Sequence, residues 1–139
     1  MDLQLKSYLD NYVKIQNSFN FISLGGSVPL MIYGSIPFRK IKDFDIISTQ
    51  YVSKDEILYR AFNIEPPKRS LGGTRISYED THFDFYINPQ ATYDFISFEG
   101  YNLRVSPEDE IIFYKSKQLL RGVKKGIDDF SSIIESKKH

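Results

Sequence analysis

The sequence contains no cysteine and no tryptophan, and histidine occurs only twice in its 139 residues. The absence of cysteine excludes a disulfide framework, a cysteine-ligated zinc site and a thiol nucleophile. Two histidines are also too few for a histidine-rich metal site. The chemistry open to this chain is therefore that of carboxylates, hydroxyls, lysine and arginine.

The sequence also lacks an excess of charge of either sign, because 18 Lys and Arg residues balance 18 Asp and Glu residues. A polycationic nucleic-acid binder needs surplus positive charge to neutralise phosphates, so the formal net charge of zero argues against that class. The 11 Phe and 10 Tyr residues argue against a disordered acidic chain, since such chains contain few aromatic residues.

Long apolar segments are missing as well. No apolar run approaches the roughly 20 residues that span a bilayer. The first residues, Met1-Asp2-Leu3-Gln4-Leu5-Lys6, carry charges of both signs and lack the apolar stretch of a signal peptide. We therefore expect a cytoplasmic protein with no membrane partner. Its length is typical of one domain, which we assign to residues 1–139.

The hydrophobic pattern alternates between helical and strand periodicity along the chain. Such an order of elements predicts a mixed α/β or α+β domain, with a mixed sheet flanked by helices and with helices at the C-terminus. The predicted elements are a helix over 2–18, a strand over 19–24, a helix over 28–33, a strand over 43–48, a helix over 54–62, strands over 74–78, 81–87, 95–98 and 101–105, a helix from 106 to about 120 and a last helix through 134.

Three acidic residues lie in predicted strands. Residues i and i+2 of a strand point to the same face, so Asp43 and Asp45 present two carboxylates side by side. Adjacent like charges repel unless a cation lies between them, and oxygen ligands favour Mg²⁺ or Mn²⁺. If the strand of Asp84 is a neighbour, this residue completes a three-carboxylate cluster. Such a cluster can hold two metal ions for in-line phosphoryl transfer.

The segment Gly25-Gly26-Ser27 lies between a predicted strand and a predicted helix. Glycine lets the backbone approach a ligand closely, and the N-terminus of a helix directs N–H groups and positive potential outward, which suits a phosphate. The hydroxyl of Ser27 can add one more donor. A phosphate site next to metal-binding acids outlines a site for a nucleoside triphosphate.

Each of these features also has an ordinary structural interpretation. An Asp-x-Asp pair is more often a solvated strand end than a metal site, and a Gly-Gly pair is usually only a turn. Asp84 can equally face solvent on an edge strand. The order and spacing of the three features together favour the functional interpretation.

The same residues resemble the nucleotidyltransferase superfamily related to DNA polymerase beta. Members carry a strand, then Gly-Gly or Gly-Ser opening a helix, then an Asp-x-Asp or Asp-x-Glu strand, then a third acid on a later strand. The matching residues here are Gly25-Gly26-Ser27, Asp43-Phe44-Asp45 and Asp84. Small bacterial and phage members, including toxins of the abortive-infection type, often have an Arg four residues before the first Asp, where this chain has Arg39.

A looser likeness lies in the C-terminal part of the chain. Lys115, Arg121 and the pair Asp128-Asp129 are similar to the Lys, Arg and Asp of the helical tail in toxin-type members. The resemblance implies the nucleotidyltransferase fold and a metal-dependent enzyme that uses Mg²⁺ or Mn²⁺. This enzyme would transfer a nucleoside monophosphate from an NTP to a hydroxyl of an RNA such as tRNA, of a protein or of a small molecule.

The resemblance also implies roles for individual residues. It assigns catalysis and metal binding to Asp43, Asp45 and Asp84, and nucleotide binding to Gly25, Gly26, Ser27, Arg39 and Lys115. Two alternatives to an active enzyme remain. One is a catalytically inactive protein of the same fold, such as an antitoxin or a regulatory module, since a fold does not determine an activity. The other is a structural or interaction protein whose acids are incidental.

Overall fold

The computed structural model of the chain describes residues 1–42, 44–68, 73–120 and 133–134. It contains four helices and a six-stranded mixed sheet, which confirms the predicted α+β class. The helices are α1 (Leu3–Ser18), α2 (Ser27–Tyr33), α3 (Lys54–Phe62) and α4 (Glu108–Leu120). The strands are β1 (Ile22–Gly25), β2 (Phe44–Ser48), β3 (Arg75–Tyr78), β4 (Thr81–Ile87), β5 (Asp94–Phe98) and β6 (Tyr101–Val105).

The strands follow the order β3-β4-β2-β1-β6-β5 across the sheet. Two antiparallel hairpins, β3–β4 and β5–β6, lie at the two edges. The central strands β1 and β2 are antiparallel to each other, and each joins one hairpin through a parallel pairing, β2 with β4 and β1 with β6. This order places β2 directly between β1 and β4, the strands that carry the glycines and Asp84.

Aromatic side chains form the core on the face of the sheet that α1 and α3 cover. Phe44 and Phe83 are paired across β2 and β4, with ring centroids 5.3 Å apart. The ring of Tyr8 on α1 stacks on Phe44 at 4.9 Å and contacts Phe83 edge-on at 5.5 Å. Because side chains alternate along a strand, Asp45 and Asp84 point to the opposite face, where α2 and α4 pack together.

Local capping signals explain where the helices begin. Ser53 caps α3, because its hydroxyl accepts a hydrogen bond from the Glu56 N–H at 3.1 Å. The start of α2 differs from the prediction by one residue. Ser27 is already helical, and Gly26 is the N-cap with φ 73° and ψ −149°. Glycine fits there because this backbone region is essentially restricted to glycine.

The first strand begins three residues later than predicted, because Phe19 ends α1 as its C-cap. Most of the predicted last helix, residues 121–132, lies outside the described residues, and with it Arg121 and Asp128-Asp129. The longest helix described, α1 with 16 residues, is amphipathic. Within the described ranges, no helix is long and apolar enough to cross a membrane.

Candidate functional site

The ladder between β2 and β4 brings two of the predicted acids together. Asp45 and Asp84 are directly paired in these parallel strands. Paired residues of a parallel ladder point to the same face, and neighbouring strands lie about 4.8 Å apart. The two carboxylates therefore share the face opposite the aromatic core. Asp43 lies outside the described residues, so its place beside Asp45 stays a prediction.

Gly26 lies against the carboxylate of Asp45. Gly25 is paired with Asp45 across β1 and β2, and Gly26 follows at the turn into α2. A Cβ atom at Gly26 would lie 2.5 Å from Asp45 Oδ2, which is closer than any real contact of this kind. Glycine thus allows the backbone to approach the protein's own carboxylate, where the sequence predicted an approach to a ligand.

Two cationic side chains converge on the hydroxyl of Ser27. Arg39 Nη2 lies 3.2 Å from Ser27 Oγ, and Lys115 Nζ lies 3.3 Å from the same atom. Arg39 comes from the segment between α2 and β2, whereas Lys115 comes from α4. Lys115 is only 2% exposed, and a buried ammonium group requires polar or anionic partners. The residues predicted to bind phosphate therefore lie directly beside Gly26 and Asp45.

Asp84 has a partner that was not anticipated from the sequence. Arg75 Nε lies 3.1 Å from Asp84 Oδ1, and Arg75 Nη2 lies 3.5 Å from Asp84 Oδ2. The two residues are paired across the β3–β4 hairpin, whose two-residue turn is Glu79-Asp80. Counting outward from this turn gives the register, so the pair carried a sequence signal. The side chain of Arg75 is 59% exposed and that of Asp84 is 18% exposed.

The carboxylate oxygens of Asp45 and Asp84 are ligand atoms of the kind that a hard divalent cation prefers. Both are carboxylates, and oxygen is the ligand type that Mg²⁺ and Mn²⁺ prefer. Among the described residues, no group of three or more His, Cys, Asp or Glu has an arrangement that could hold a metal ion. The third acid of the expected cluster is Asp43, which lies outside those residues. The described part thus contributes two carboxylates on one face of neighbouring strands.

A cavity of about 400 Å³ opens beside Asp45, between the sheet and α4. Its lining includes four of the predicted site residues, which are Gly25, Gly26, Asp45 and Lys115. The volume lies within the range of small-molecule sites in proteins. The candidate site is therefore a concave surface with acids and cations at its wall.

No protein-family model matches the sequence, and no curated protein or solved structure matches it. The functional interpretation of the candidate site therefore rests on its own residues and their geometry. Sequence reasoning missed Arg75 and also the cavity residues Tyr86, Glu110 and Tyr114. The three cavity residues belong to no recognisable motif, because they meet only through the packing of α4 on the sheet.

The hydroxyl of a partly buried tyrosine lies near the cavity. The hydroxyl of Tyr33 donates to the carbonyl oxygen of Ser106, a cavity residue, at 3.2 Å. Burial raises the pKa of Tyr33, and the negative charges of Asp94 and Glu108 raise it further. Tyr33 therefore stays protonated at neutral pH and acts as a hydrogen-bond donor there.

Proposed function

We propose that the protein is a metal-dependent nucleotidyltransferase that transfers a nucleoside monophosphate from an NTP to an acceptor hydroxyl. One observation carries the proposal. The acid pair Asp45 and Asp84 lies on one face of the sheet, and Gly26 joins it directly to Ser27, where Arg39 and Lys115 converge. A metal-bound triphosphate requires this combination, namely carboxylates for the cation next to cationic donors for the phosphates.

In this proposal the acids hold Mg²⁺ or Mn²⁺, with Asp43 as the predicted third ligand. A cation held there would supply positive charge next to the α-phosphate and the departing pyrophosphate. Ser27, Arg39 and Lys115 hold the β- and γ-phosphates, and the ammonium of Lys115 offsets the negative charge that develops during transfer.

The bonds change in one displacement at the α-phosphorus. Asp84 accepts the proton of the acceptor hydroxyl, whose oxygen forms a bond to that phosphorus. The bond from the α-phosphorus to the oxygen bridging to the β-phosphate breaks, and pyrophosphate leaves. The acceptor then carries the nucleoside monophosphate.

Asp45→Asn tests the proposal because it keeps the shape of the side chain and removes its charge. We expect transfer of label from α-labelled NTPs to total cell RNA or protein to fall at least about a hundredfold, since a ligand of the cation is lost. Asp55→Asn, on α3 at the other face of the sheet, is the matched control and should transfer as the wild type does. Circular dichroism would show that both variants are folded. Wild-type activity in Asp45→Asn would exclude the mechanism.

A catalytically inactive nucleotide-binding protein of the same architecture is a second candidate. The observation in its favour is the ion pair between Arg75 and Asp84, because a guanidinium already neutralises a carboxylate that the enzyme would use. The same assay separates the candidates. An inactive module binds NTPs without transferring label to any acceptor, whereas an enzyme transfers label in a manner that depends on Asp45.

A further inference from the structure

The cavity beside Asp45 presents an aromatic ring on each of two walls. Tyr86 extends from β4 and Tyr114 from α4, and their side chains are 46% and 53% exposed. Ile47 and Ile111 add apolar surface to the same lining. Two exposed rings, one on the sheet wall and one on the helix wall, thus give the cavity aromatic surface on which a nucleobase can stack.

The strand register sets the distance between Tyr86 and the acid pair Asp45 and Asp84. Tyr86 is paired with Ile47 across β4 and β2, as Asp84 is paired with Asp45. The first pair lies two residues further along the strands than the second. Two strand residues correspond to roughly 7 Å, and all four side chains point to the same face. A sugar ring fits into this interval, so a nucleotide with its phosphates at Asp45 would have its base beside Tyr86.

Two polar side chains line the cavity near the tyrosine rings, Glu110 and Asn88. Glu110 lies four residues before Tyr114 on α4, so both side chains are on one side of the helix. Thr92 fixes its carboxylate, with Oγ1 donating to Glu110 Oε1 at 2.7 Å. Asn88 Oδ1 accepts from the Gln90 N–H at 3.1 Å, which turns the amide nitrogen of Asn88 away from that contact.

We propose that this cavity is a guanine subsite, so that the nucleotide used is GTP; this inference rests on the proposed function. An ionised carboxylate only accepts hydrogen bonds. Guanine presents two adjacent donors, N1–H and the exocyclic amino group. Glu110 Oε1 already accepts from the N–H and Oγ1 of Thr92, so Glu110 Oε2, with its two lone pairs, is the acceptor for the base. The O6 acceptor of guanine lies next to the two donors and suits the amide N–H of Asn88.

The other bases match this set less well. Adenine presents its N1 acceptor next to its amino group, and cytosine presents N3 in the same way, so a lone pair would face the carboxylate of Glu110. Uracil has one N–H between two carbonyl acceptors. Because the pyrimidines are also single rings, they cover less of the two tyrosine faces.

Calorimetric titration of the full chain with each of the four NTPs, in the presence of Mg²⁺, tests the inference without any turnover. We expect GTP to bind on the order of ten- to a hundredfold more tightly than ATP, the range that hydrogen bonds to a charged group supply. In Glu110→Gln, the side chain both donates and accepts, so it fits the edge of adenine. We expect this variant to lose the preference for GTP or to prefer ATP.

Asp109→Asn is the matched control. Asp109 is the exposed acid next to Glu110 in the chain. It does not belong to the described residues that line the cavity. Its substitution removes the same charge from the first turn of α4 and should leave the preference for GTP unchanged.

The outcomes separate the subsite from the enzyme. Binding of all four NTPs within about threefold of one another would overturn the guanine subsite and leave the proposed function standing. An unchanged preference in Glu110→Gln would also overturn it. If no NTP binds, both the proposed function and the subsite are wrong.

Discussion

At Gly26, the difference between a hydrogen atom and a methyl group determines whether the turn into α2 and the carboxylate of Asp45 fit together. The backbone there has φ 73°, and a Cβ would lie 2.5 Å from Asp45 Oδ2. Gly34 at the other end of α2 is in the left-handed region, with φ 81° and ψ 11°, and a Cβ there would meet nothing within 4 Å. A side chain at Gly26 would meet both a backbone region restricted to glycine and the contact with Asp45, whereas at Gly34 only the smaller cost of the left-handed region applies.

We predict that Gly26→Ala costs about 3 kcal/mol or more of folding free energy and reduces nucleotide transfer, because the methyl group displaces Asp45. Gly34→Ala should cost only about 1–2 kcal/mol, the penalty of a left-handed backbone for a residue with a side chain. Urea unfolding of both variants measures the difference. Equal costs would show that neither the glycine-restricted backbone region at Gly26 nor its contact with Asp45 adds to the cost.

Arg75 competes with any cation for the carboxylate of Asp84. We predict that Arg75→Gln strengthens Mn²⁺ binding up to about fivefold, because an exposed ion pair contributes no more than about 1 kcal/mol. Electron paramagnetic resonance of free Mn²⁺ measures this affinity. Lys6→Gln removes the cation of another exposed ion pair, with Asp10 on α1, and serves as the control. Unchanged or weaker Mn²⁺ binding in Arg75→Gln would show that the guanidinium does not compete.

At the scale of elements, one of the hydrogen bonds that link α1 to β6 responds to pH. The hydroxyl of Tyr101 donates to Asp10 Oδ1 at 2.5 Å. This bond, followed by the hydrogen bond from Lys6, lowers the pKa of Asp10 below its ordinary value of 3.8. A lowered folded-state pKa means that the pair stabilises the fold above pH 3.8 and loses this effect as the pH falls through the folded-state value.

We predict that Tyr101→Phe is less stable than the wild type at neutral pH and loses less stability between about pH 5 and about pH 2. The two unfolding free energies should therefore converge in acid. The alkaline side has the opposite sign, because burial and then Asp10 raise the pKa of Tyr101 to about 12, so this contribution disappears as the pH rises through that value. Denaturant unfolding at a series of pH values checks both limbs. Parallel curves for the two proteins would contradict the linkage.

Elements with local signals were predictable from the sequence. The bounds of α3, β4 and β6 match the prediction, because Ser53 caps α3 and the two-residue turns Glu79-Asp80 and Glu99-Gly100 end the strands that they join. The parallel pairings of β2 with β4 and of β1 with β6 were not predictable, since they join strands far apart in the chain. They result from burial of the aromatic core on α1, which no local pattern encodes.

The candidate site was likewise predictable only where a local sequence signal marks a residue. Asp45, Asp84 and Ser27 stand out in the sequence because acids and glycines interrupt apolar strands. The convergence of Arg39 and Lys115 on Ser27 had no sequence signal of its own beyond the family resemblance, because it depends on how α4 packs beside α2. The cavity residues Tyr86, Glu110 and Tyr114 likewise meet only in the folded chain.

At the scale of the whole molecule, the two faces of the sheet carry different kinds of residues. One face buries the ring cluster of Tyr8, Phe44 and Phe83 under α1, and the other carries the paired acids and the cavity. The cations Arg39 and Lys115 converge on Ser27, and Lys115 lines the cavity together with Asp45. In the proposed function, this arrangement and the formal net charge of zero suit a triphosphate pocket better than a broad nucleic-acid groove.

Following the two ends of the triphosphate shows directly whether the site transfers nucleoside monophosphates. The protein is incubated with Mg²⁺, total cell RNA and protein, and NTPs labelled at either the α- or the γ-phosphate. We expect α-label to enter an acceptor and γ-label to be released as pyrophosphate, and we expect both signals to fall at least about a hundredfold in Asp45→Asn. Transfer of γ-label to an acceptor, or no transfer of α-label by the wild type, would contradict the proposed function.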